Sequence, residues 1–241
     1  MSPDIRQHRG PHPDDRKLFA EEQLPTLRAA VSELSWLLGH GYTMKASLKL
    51  VGDRYHLAER QRLGISRAAC ADKSKDLRKA KCLEVKSVAG ANLIIDGFNL
   101  IITVEAALSG GVLLLCRDGC IRDLSSVHGS YRSVAETNAA ISLVGAAFEP
   151  LGPKSVDWLL DRPVSNSGRL ARRIRDTASE HGWPWRVEVV FNPDTRILSP
   201  DKIAITSDSS ILDCAPSWLN FNRYLVEARL RDCWLVNLAD G

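Results

Sequence analysis

The chain has 241 residues, of which 44% are hydrophobic and 25% charged, so it can bury a large core and is not intrinsically disordered. Its longest apolar runs are far shorter than the roughly 20 residues needed to span a bilayer, and its first residues, MSPDIRQHRGPHPDDRK, lack the apolar core of a signal peptide. We therefore expect a soluble cytoplasmic protein with no membrane partner.

The net charge of +3 is unevenly distributed along the chain. Residues 1–90 contain 17 Lys and Arg against 11 Asp and Glu, and the remainder contains 15 against 18. A basic first third followed by an acidic remainder favours a protein in which one part contacts a polyanion and the other gathers carboxylates around cations. A solvated helical surface would also explain the basic third.

The cysteines are scattered and form no CxxC motif, which favours reduced, buried thiols over disulfides. Cys116, Cys120 and His128 lack the second ligand pair of a structural zinc site, so zinc is disfavoured.

From the N-terminus, residues 1–12 have no periodicity and predict a flexible tail. Residues 13–88 have the apolar periodicity of four or five amphipathic helices, which predicts a small all-α domain. Its second half is dense in basic residues, including Arg60 and Arg67, as expected of a surface that contacts phosphates. A solvated helix face has the same composition, and both interpretations stay open.

The segment VKSVAGAN, residues 85–92, is the predicted joint to an α/β domain spanning 89–241. There, apolar runs alternate with helical patterns, which predicts a mostly parallel sheet with helices on its faces. The pair Asp118-Gly119 predicts a hairpin turn. The predicted strands are 93–96, 112–116, 156–161, 185–191, 202–206 and a last strand within DCWLVNL.

Three of these apolar runs lead into an aspartate, at Asp96, Asp161 and Asp208. The carboxyl ends of parallel strands share one edge of a sheet, so we expect the three carboxylates to converge there. Clustered carboxylates either raise one another's pKa or recruit divalent cations, and Mg²⁺ or Mn²⁺ prefers such oxygen ligands. Aspartates also favour turns and helix caps, which is the purely structural alternative.

The residues around these aspartates suit phosphate chemistry. Asn99, Thr206, Ser207 and Ser209 offer amide and hydroxyl groups to metal-bound water or phosphate oxygens. Asp213 is either a fourth carboxylate or the partner of an arginine. Glu136 is a further acid, although a lone helical Glu is usually solvated. Anion contacts are expected at the start of the helix after residue 165 and from its neighbouring arginines, Arg162, Arg169, Arg172 and Arg173.

The motifs LIIDGFNL at 93–100 and ITSDSSILD at 205–213, with WLLDRP at 158–163 between them, resemble the PIN-like nuclease superfamily. The resemblance implies a doubly wound α/β domain over about 91–241, with Asp96, Asp161 and Asp208 as ligands of Mg²⁺ or Mn²⁺. The whole chain resembles an uncharacterised prokaryotic family that joins a small helical module to such a domain. It departs from the pattern at the usual helix-borne acid, for which only Glu136 or the hairpin aspartates Asp118 and Asp123 are available.

The sequence thus predicts a metal-dependent nuclease that acts on RNA in preference to DNA, with a homodimer left open. Two rival hypotheses remain. One is a non-catalytic RNA-binding protein with a degenerate PIN-like domain, and the missing helix-borne acid supports it. The other is a metal-dependent phosphatase, which is disfavoured because no second aspartate lies two residues after Asp96.

Overall fold

The computed structural model describes residues 8–125 and 131–239. Its first part is helical, because apolar residues recur at helical spacing and Thr43, in extended conformation, caps the third helix through its side chain. The helices are α1 (Asp15–Leu18), α2 (Leu24–Gly39), α3 (Met44–Arg54), α4 (Glu59–Ala68) and α5 (Asp72–Lys81).

The remainder alternates strands and helices, as the sequence predicts. Its elements are β1 (Cys82–Leu83), β2 (Asn92–Asp96), α6 (Gly97–Leu108), β3 (Leu113–Leu115), β4 (Ile121–Asp123), α7 (Thr137–Phe148), β5 (Ser155–Asp161), α8 (Ser167–His181), β6 (Trp185–Val190), α9 (Pro193–Ile197), β7 (Ile203–Ile205), α10 (Ser209–Cys214), β8 (Trp218–Leu219), α11 (Phe221–Arg229) and β9 (Leu235–Asn237). Short 3₁₀ turns lie at Glu21–Gln23, Val85–Val88 and Glu149–Leu151.

The main sheet has six parallel strands in the order β1-β8-β7-β2-β5-β6. Strand β2 is central, and its Ile95 is level with Trp158 of β5 and Ile205 of β7. The carboxyl ends of β7, β2 and β5 therefore lie side by side on one edge. The predicted α/β class with a parallel sheet is confirmed.

Both faces of this sheet are buried, which explains the unbroken apolar run in β2. Leu93 and Ile95 pack with residues of α6, α7, α8 and α11, whereas Ile94 packs on the opposite side with Ile197 of α9 and Ile211 of α10. Because side chains alternate along a strand, Asp96 projects from the same face as Ile94. That face carries α9 and α10.

A second sheet has the order β4-β3-β9, with β3 antiparallel to β4 and parallel to β9. The hairpin at Asp118-Gly119 is confirmed, and Gly119 has a φ of 78°. The expectation of one sheet is wrong for β3, β4 and β9, because the apolar pattern of a strand does not specify which other strand pairs with it.

The second sheet joins the helical region to the rest of the protein. Leu27, Leu34 and Ile65 form one hydrophobic cluster with Leu114 and Val236 of the sheet. Strand β1, within the segment predicted to be helical, pairs with β8 of the main sheet. The helical region and the α/β region therefore share a core.

The predicted tail at residues 1–12 is only partly within the described residues, since 1–7 lie outside them. Arg9 is 4% exposed, and its guanidinium contacts the carboxylate of the buried Glu105 and donates to the carbonyl oxygen of Arg132 at 3.0 Å. The prediction of a flexible tail is wrong at Arg9, because a buried acid 96 residues away holds it.

All six cysteines are unpaired, as the sequence predicts, and Cys70, Cys116 and Cys120 are buried. The expectation of burial is wrong for Cys214, which is exposed. No helix in the described residues is both long enough and apolar enough to cross a bilayer.

The start of α6 requires a residue without a side chain. A Cβ atom at Gly97 would lie 2.6 Å from Cδ2 of Leu160 and 2.8 Å from the carbonyl oxygen of Leu159. Gly97→Ala should therefore lower the free energy of unfolding by about 1–3 kcal/mol. Gly168→Ala is the matched control, because Gly168 also lies in the first turn of a helix but has no atom within 4 Å of that position. Urea unfolding of both variants tests this, and equal midpoints would contradict the close packing.

Candidate metal and phosphate site

The site is built on Asp96, the last residue of β2 and the N-cap of α6. Its Oδ1 accepts from the backbone N–H of Asn99 at 3.3 Å, which satisfies one of the unpaired donors of the helix start. Its Oδ2 accepts from Oγ1 of Thr206 at 3.1 Å. Asp96 is thus held from both sides, by its own helix and by the neighbouring strand end.

The segment after β7 is fixed by side chains that the sequence singles out. Oδ1 of Asn99 accepts from the N–H and the hydroxyl of Ser207 at 2.8 and 2.9 Å. Oγ1 of Thr206 accepts from the N–H of Asp208 at 3.0 Å. Asn99, Thr206 and Ser207 therefore hold the ends of β2 and β7 together, so the prediction that they surround the site is confirmed in position.

Asp208 is the N-cap of α10 and accepts from the N–H of Ser210 at 2.8 Å. It is exposed and faces the same open pocket, of about 590 Å³, as Asp96. Lining residues from the helical region, α6, β4 and the β7–α10 segment are Ser66, Arg67, Asp96, Phe98, Asn99, Ile102, Arg122, Asp123, Ser125, Ser207, Asp208, Ser209 and Ser210.

Burial raises the pKa of Asp96 to about 7, and the negative charges of Asp208 and Asp194 contribute to the rise. The hydrogen bonds from Asn99 and Thr206 oppose it by favouring the charged form. No lysine or arginine within residues 8–125 and 131–239 forms an ion pair with Asp96, Asp194 or Asp208. Within the described residues, Asp96 and Asp208 therefore have no ion-pair partner, although the basic side chains of Arg67 and Arg122 also line the pocket.

Asp161 lies on the same edge but outside the lining of this pocket. Leu159 of β5 is level with Asp96, so Asp161 is two residues further along, on the same face of the sheet. Burial and the charge of Asp194 raise the pKa of Asp161. The structure thus brings Asp96 and Asp208 to one pocket and leaves Asp161 beside it.

Asp194 is a residue that the sequence pattern does not single out, because the Asn-Pro-Asp that contains it is typical of a turn. It lies in the first turn of α9, which packs against β2 and β5, and its charge affects both Asp96 and Asp161. The available signal was an aspartate four residues after a parallel strand, at the edge of the sheet where the other three lie.

Asp213 is not brought to the pocket. Its Oδ1 accepts from Nε of Arg78 at 2.7 Å, the second of the two alternatives left open by the sequence. Ser209 does line the pocket, where its hydroxyl accepts from Arg78 at 3.4 Å and from Arg122 at 3.3 Å. As a metal ligand, Asp213 is therefore a wrong prediction, because an arginine from the helical region occupies its carboxylate.

The hairpin aspartates have separate structural partners. The side chain of Asp118 is fully enclosed and accepts from Arg78 and from Arg122, both through its Oδ2 at 2.6 and 2.7 Å. These charges lower the pKa of Asp118 to about 2 despite its burial. Asp123 lines the pocket and accepts from the hydroxyl of Thr103 at 2.7 Å.

Glu136 lies elsewhere, within 2.6 Å of the ring of His8. His128, from the disfavoured zinc group, lies outside the described residues.

The arginines divide into two groups. Arg60 donates to both carboxylate oxygens of Asp15 at 2.8 Å, and Arg67 donates to the carbonyl oxygens of Asp123 and Ser125. Arg60 is therefore wrong as a nucleic-acid contact, because its guanidinium binds the protein itself. Arg67 has the same internal role, although it borders the acidic pocket.

The arginines after β5 remain on the surface. Arg162 lies over the ring of Phe191 at 4.8 Å. Arg169, Arg172 and Arg173 line a second pocket, together with Arg132. Their exposed side chains are accessible to solvent, and their contact with phosphates stays a prediction.

The described residues contain no group of three or more His, Cys, Asp or Glu side chains arranged to hold a metal ion. Three aspartates line the acidic pocket, and one of them, Asp123, is held by Thr103 and Arg67. The carboxylates of Asp96 and Asp208 nevertheless match the donors of Mg²⁺, which is commonly bound through one or two carboxylates while water and substrate phosphates complete its shell. The donor set fits such an ion in chemistry, with two protein ligands rather than three.

Comparison with known proteins assigns the chain to a protein family. Residues 85–224, more than half of it, match the family described as Domain of unknown function (DUF5616). The chain belongs to this family. Residues 26–81 match Protein of unknown function (DUF434), so the two matches meet where helices give way to strands.

One similar protein is the uncharacterized protein MJ0935 of Methanocaldococcus jannaschii. It is 33% identical over 187 residues, which cover 78% of this chain and 89% of the archaeal protein. No solved structure matches the chain at a significant level.

The raised pKa of Asp96 gives a prediction about pH. Between about pH 4, the unfolded pKa, and about pH 7, the folded state binds the additional proton, so this residue makes stability fall as pH rises. Asp96→Asn cannot ionise and should flatten that slope, raising the free energy of unfolding at pH 8 by on the order of 2 kcal/mol. Urea unfolding from pH 4 to 8 in a chelator measures it, with the exposed Asp201→Asn as control; an unchanged slope would show that Asp96 is not enclosed.

For Asp118, whose side chain is fully enclosed, stability should depend on pH in the opposite direction. Its lowered pKa contributes stability above about pH 4, and this contribution is lost as pH falls toward 2. Asp118→Asn should cost about 3–5 kcal/mol at pH 7, because the buried charge of Arg122 loses its carboxylate partner and Arg78 keeps only Asp213. Asp53→Asn is the matched control, since Asp53 also pairs with two basic residues but is exposed, and should have a much smaller effect. Equal losses in the two variants would contradict this account.

Proposed function

We propose that this protein is a metal-dependent nuclease acting on RNA, with a PIN-like α/β region and a cytoplasmic location. The observation that carries the proposal is the pocket at the strand ends, where the half-buried Asp96 and the exposed Asp208 line one open space and neither forms an ion pair with a described residue. Such a pocket is costly unless a cation joins it. The arginine-lined pocket nearby offers the positive charge that a polyanionic substrate requires.

In this proposal, Asp96 and Asp208 hold Mg²⁺ or Mn²⁺, with Asp161 and Asp194 at its outer side. The bound metal would supply a water of lowered pKa and stabilise charge on the phosphate. Asn99 and Thr206 act as positioning residues, because they fix Asp96 and the backbone on which Asp208 lies. Arg169, Arg172 and Arg173 bind substrate phosphates, and RNA is favoured over DNA only by the resemblance.

The absence of a three-ligand group in residues 8–125 and 131–239 favours one rival, a non-catalytic RNA-binding protein. In that case the pocket would remain without metal and the arginines alone would retain RNA. The two proposals differ in whether Mn²⁺ binds the folded protein.

Cleavage of single-stranded RNA in Mn²⁺ tests the proposal, with a generic phosphate ester assayed beside it to detect phosphatase activity. Asp96→Asn and Asp208→Asn should each lower the rate at least 100-fold, since each removes a ligand of the ion. Asp201→Asn is the control, because its exposed carboxylate precedes β7 at the opposite edge of the sheet, and it should retain full rate.

Thermal unfolding with and without Mn²⁺ gives an independent measurement. An ion that binds only the folded state raises the melting temperature, and Asp96→Asn should remove that rise. If the protein binds RNA without cleaving it and Mn²⁺ does not raise its melting temperature, the nuclease proposal is contradicted and the non-catalytic RNA-binding protein is supported.

A further inference from the structure

The arginine-lined pocket has a volume of about 530 Å³, within the range of small-ligand pockets. No acidic side chain of residues 8–125 or 131–239 lines it. Its wall comes from the segment before α7 and from the first two turns of α8, and its lining residues are Arg132, Ser133, Asn166, Gly168, Arg169, Arg172 and Arg173.

The arginines of α8 are at the unfavourable end of their helix. Arg169, Arg172 and Arg173 lie in its first two turns, where the helix dipole repels positive charge. They are also spaced three and four residues apart, so their charges face one another and destabilise the helix. Such a local conflict is expected where a residue is retained for binding rather than for stability.

No partner within the described residues offsets this repulsion. Arg169 and Arg172 form no hydrogen bond or ion pair with them, and Arg173 donates only to the neutral amide oxygen of Asn138 at 3.2 Å. Arg60 and Arg67 differ, since Arg60 is bound to a carboxylate and Arg67 to carbonyl oxygens. The α8 arginines are therefore available to an anion.

The start of α8 is also open toward the pocket. Asn166, at its N-cap position, does not cap the helix; its side-chain amide donates to the carbonyl oxygen of Tyr131 at 2.7 Å. A Cβ atom at Gly168 would meet nothing within 4 Å. The N–H groups of Ser167 and Arg169 donate to the carbonyl oxygens of Val164 and Asn166, whereas no carbonyl of the described residues accepts from the N–H of Gly168. That N–H can therefore reach an anion lying against Gly168.

The two pockets are neighbours. Phe98 lines the acidic pocket, and its ring contacts that of Tyr131 with centroids 5.2 Å apart. Tyr131 precedes Arg132 and Ser133 of the arginine pocket, and the guanidinium of Arg9 lies over its ring at 5.0 Å. A strand crossing the Phe98–Tyr131 contact would reach both pockets.

We infer that the arginine pocket binds the terminal phosphate monoester of a nucleic-acid strand, whose nearby phosphodiester lies at Asp96 and Asp208. This inference rests on the proposed nuclease function and adds its substrate class, a strand with a phosphorylated end. A terminal monoester carries nearly two negative charges at pH 7, against one for an internal phosphodiester, and so matches a pocket with several arginines and no acid. A 5′- or a 3′-phosphate has this chemistry.

Binding to the full-length Asp96→Asn variant, in a chelator, tests the inference without catalysis. The probes are a nucleoside 5′-monophosphate, the 3′-isomer and the methyl ester of each. At pH 7.5 one monoester should bind at least ten-fold more tightly than its methyl ester, and the preference should shrink below pH 6 as the phosphate gains a proton. Equal affinity of monoester and methyl ester, or no binding of either, would overturn it.

Variants of α8 add a readout that does not involve a ligand. Arg169→Gln and Arg172→Gln should each weaken monoester binding about ten-fold, yet raise the melting temperature of the unliganded protein by about 1–2 °C by removing repulsion. Arg186→Gln is the matched control, an exposed arginine outside the pocket, and should leave monoester affinity unchanged. Equal weakening by all three variants would show only non-specific attraction.

Cleavage separates this inference from the function on which it rests. The wild-type protein should cut RNA with the preferred phosphorylated end at least ten-fold faster than the same RNA with a hydroxyl end. Equal rates would overturn the end preference while the nuclease stands. Selective binding of the monoester with no cleavage of any RNA would instead contradict the proposed nuclease activity and support monoester binding in the arginine pocket.

Discussion

The buried charge cluster of Arg78, Asp118 and Arg122 is the interaction on which the candidate site depends. Arg78 comes from α5 of the helical region and Arg122 from β4, and both donate to the enclosed carboxylate of Asp118 in the hairpin. Arg122 also donates to the carbonyl oxygen of Ser207 at 2.7 Å, and both arginines contact the hydroxyl of Ser209. One carboxylate therefore fixes three parts of the chain to the segment that carries the pocket.

This arrangement connects the helical region to the α/β region through buried ion pairs. Desolvating three charges is expensive, so such a cluster contributes little net stability, but it selects one geometry because any other leaves a buried charge unpaired. The apolar cluster between α2, α4 and the second sheet supplies the favourable free energy. A second buried pair, Arg9 with Glu105, fixes the opposite side of the site by holding the residues around Tyr131.

The charge asymmetry of the sequence thus has a different meaning from the one its composition suggests. Much of the basic density between residues 54 and 81 is internal, since Arg60, Arg67 and Arg78 all bind acceptors in the fold. The exposed cationic surface next to the acidic pocket is in α8, within the net acidic part of the chain. Counting charges along the sequence located an excess of arginine but not the groups that neutralise it.

The sequence by itself determined the parallel strands, because an apolar run without alternation is stable only when it is covered on both faces. It also located Asp96, Asn99, Thr206 and Asp208, because polar residues that follow such strands share one edge of the sheet. Only the tertiary structure decided that Asp213 binds Arg78, that Asp194 joins the acidic group, and that β3, β4 and β9 form their own sheet. The physical reason is the sequence separation between the residues that interact. Strand and helix patterns are local properties of a few residues. The ion pair of Asp213 with Arg78 and the pairing of β3 with β9 instead join residues more than a hundred positions apart, and the packing of the whole core selects them.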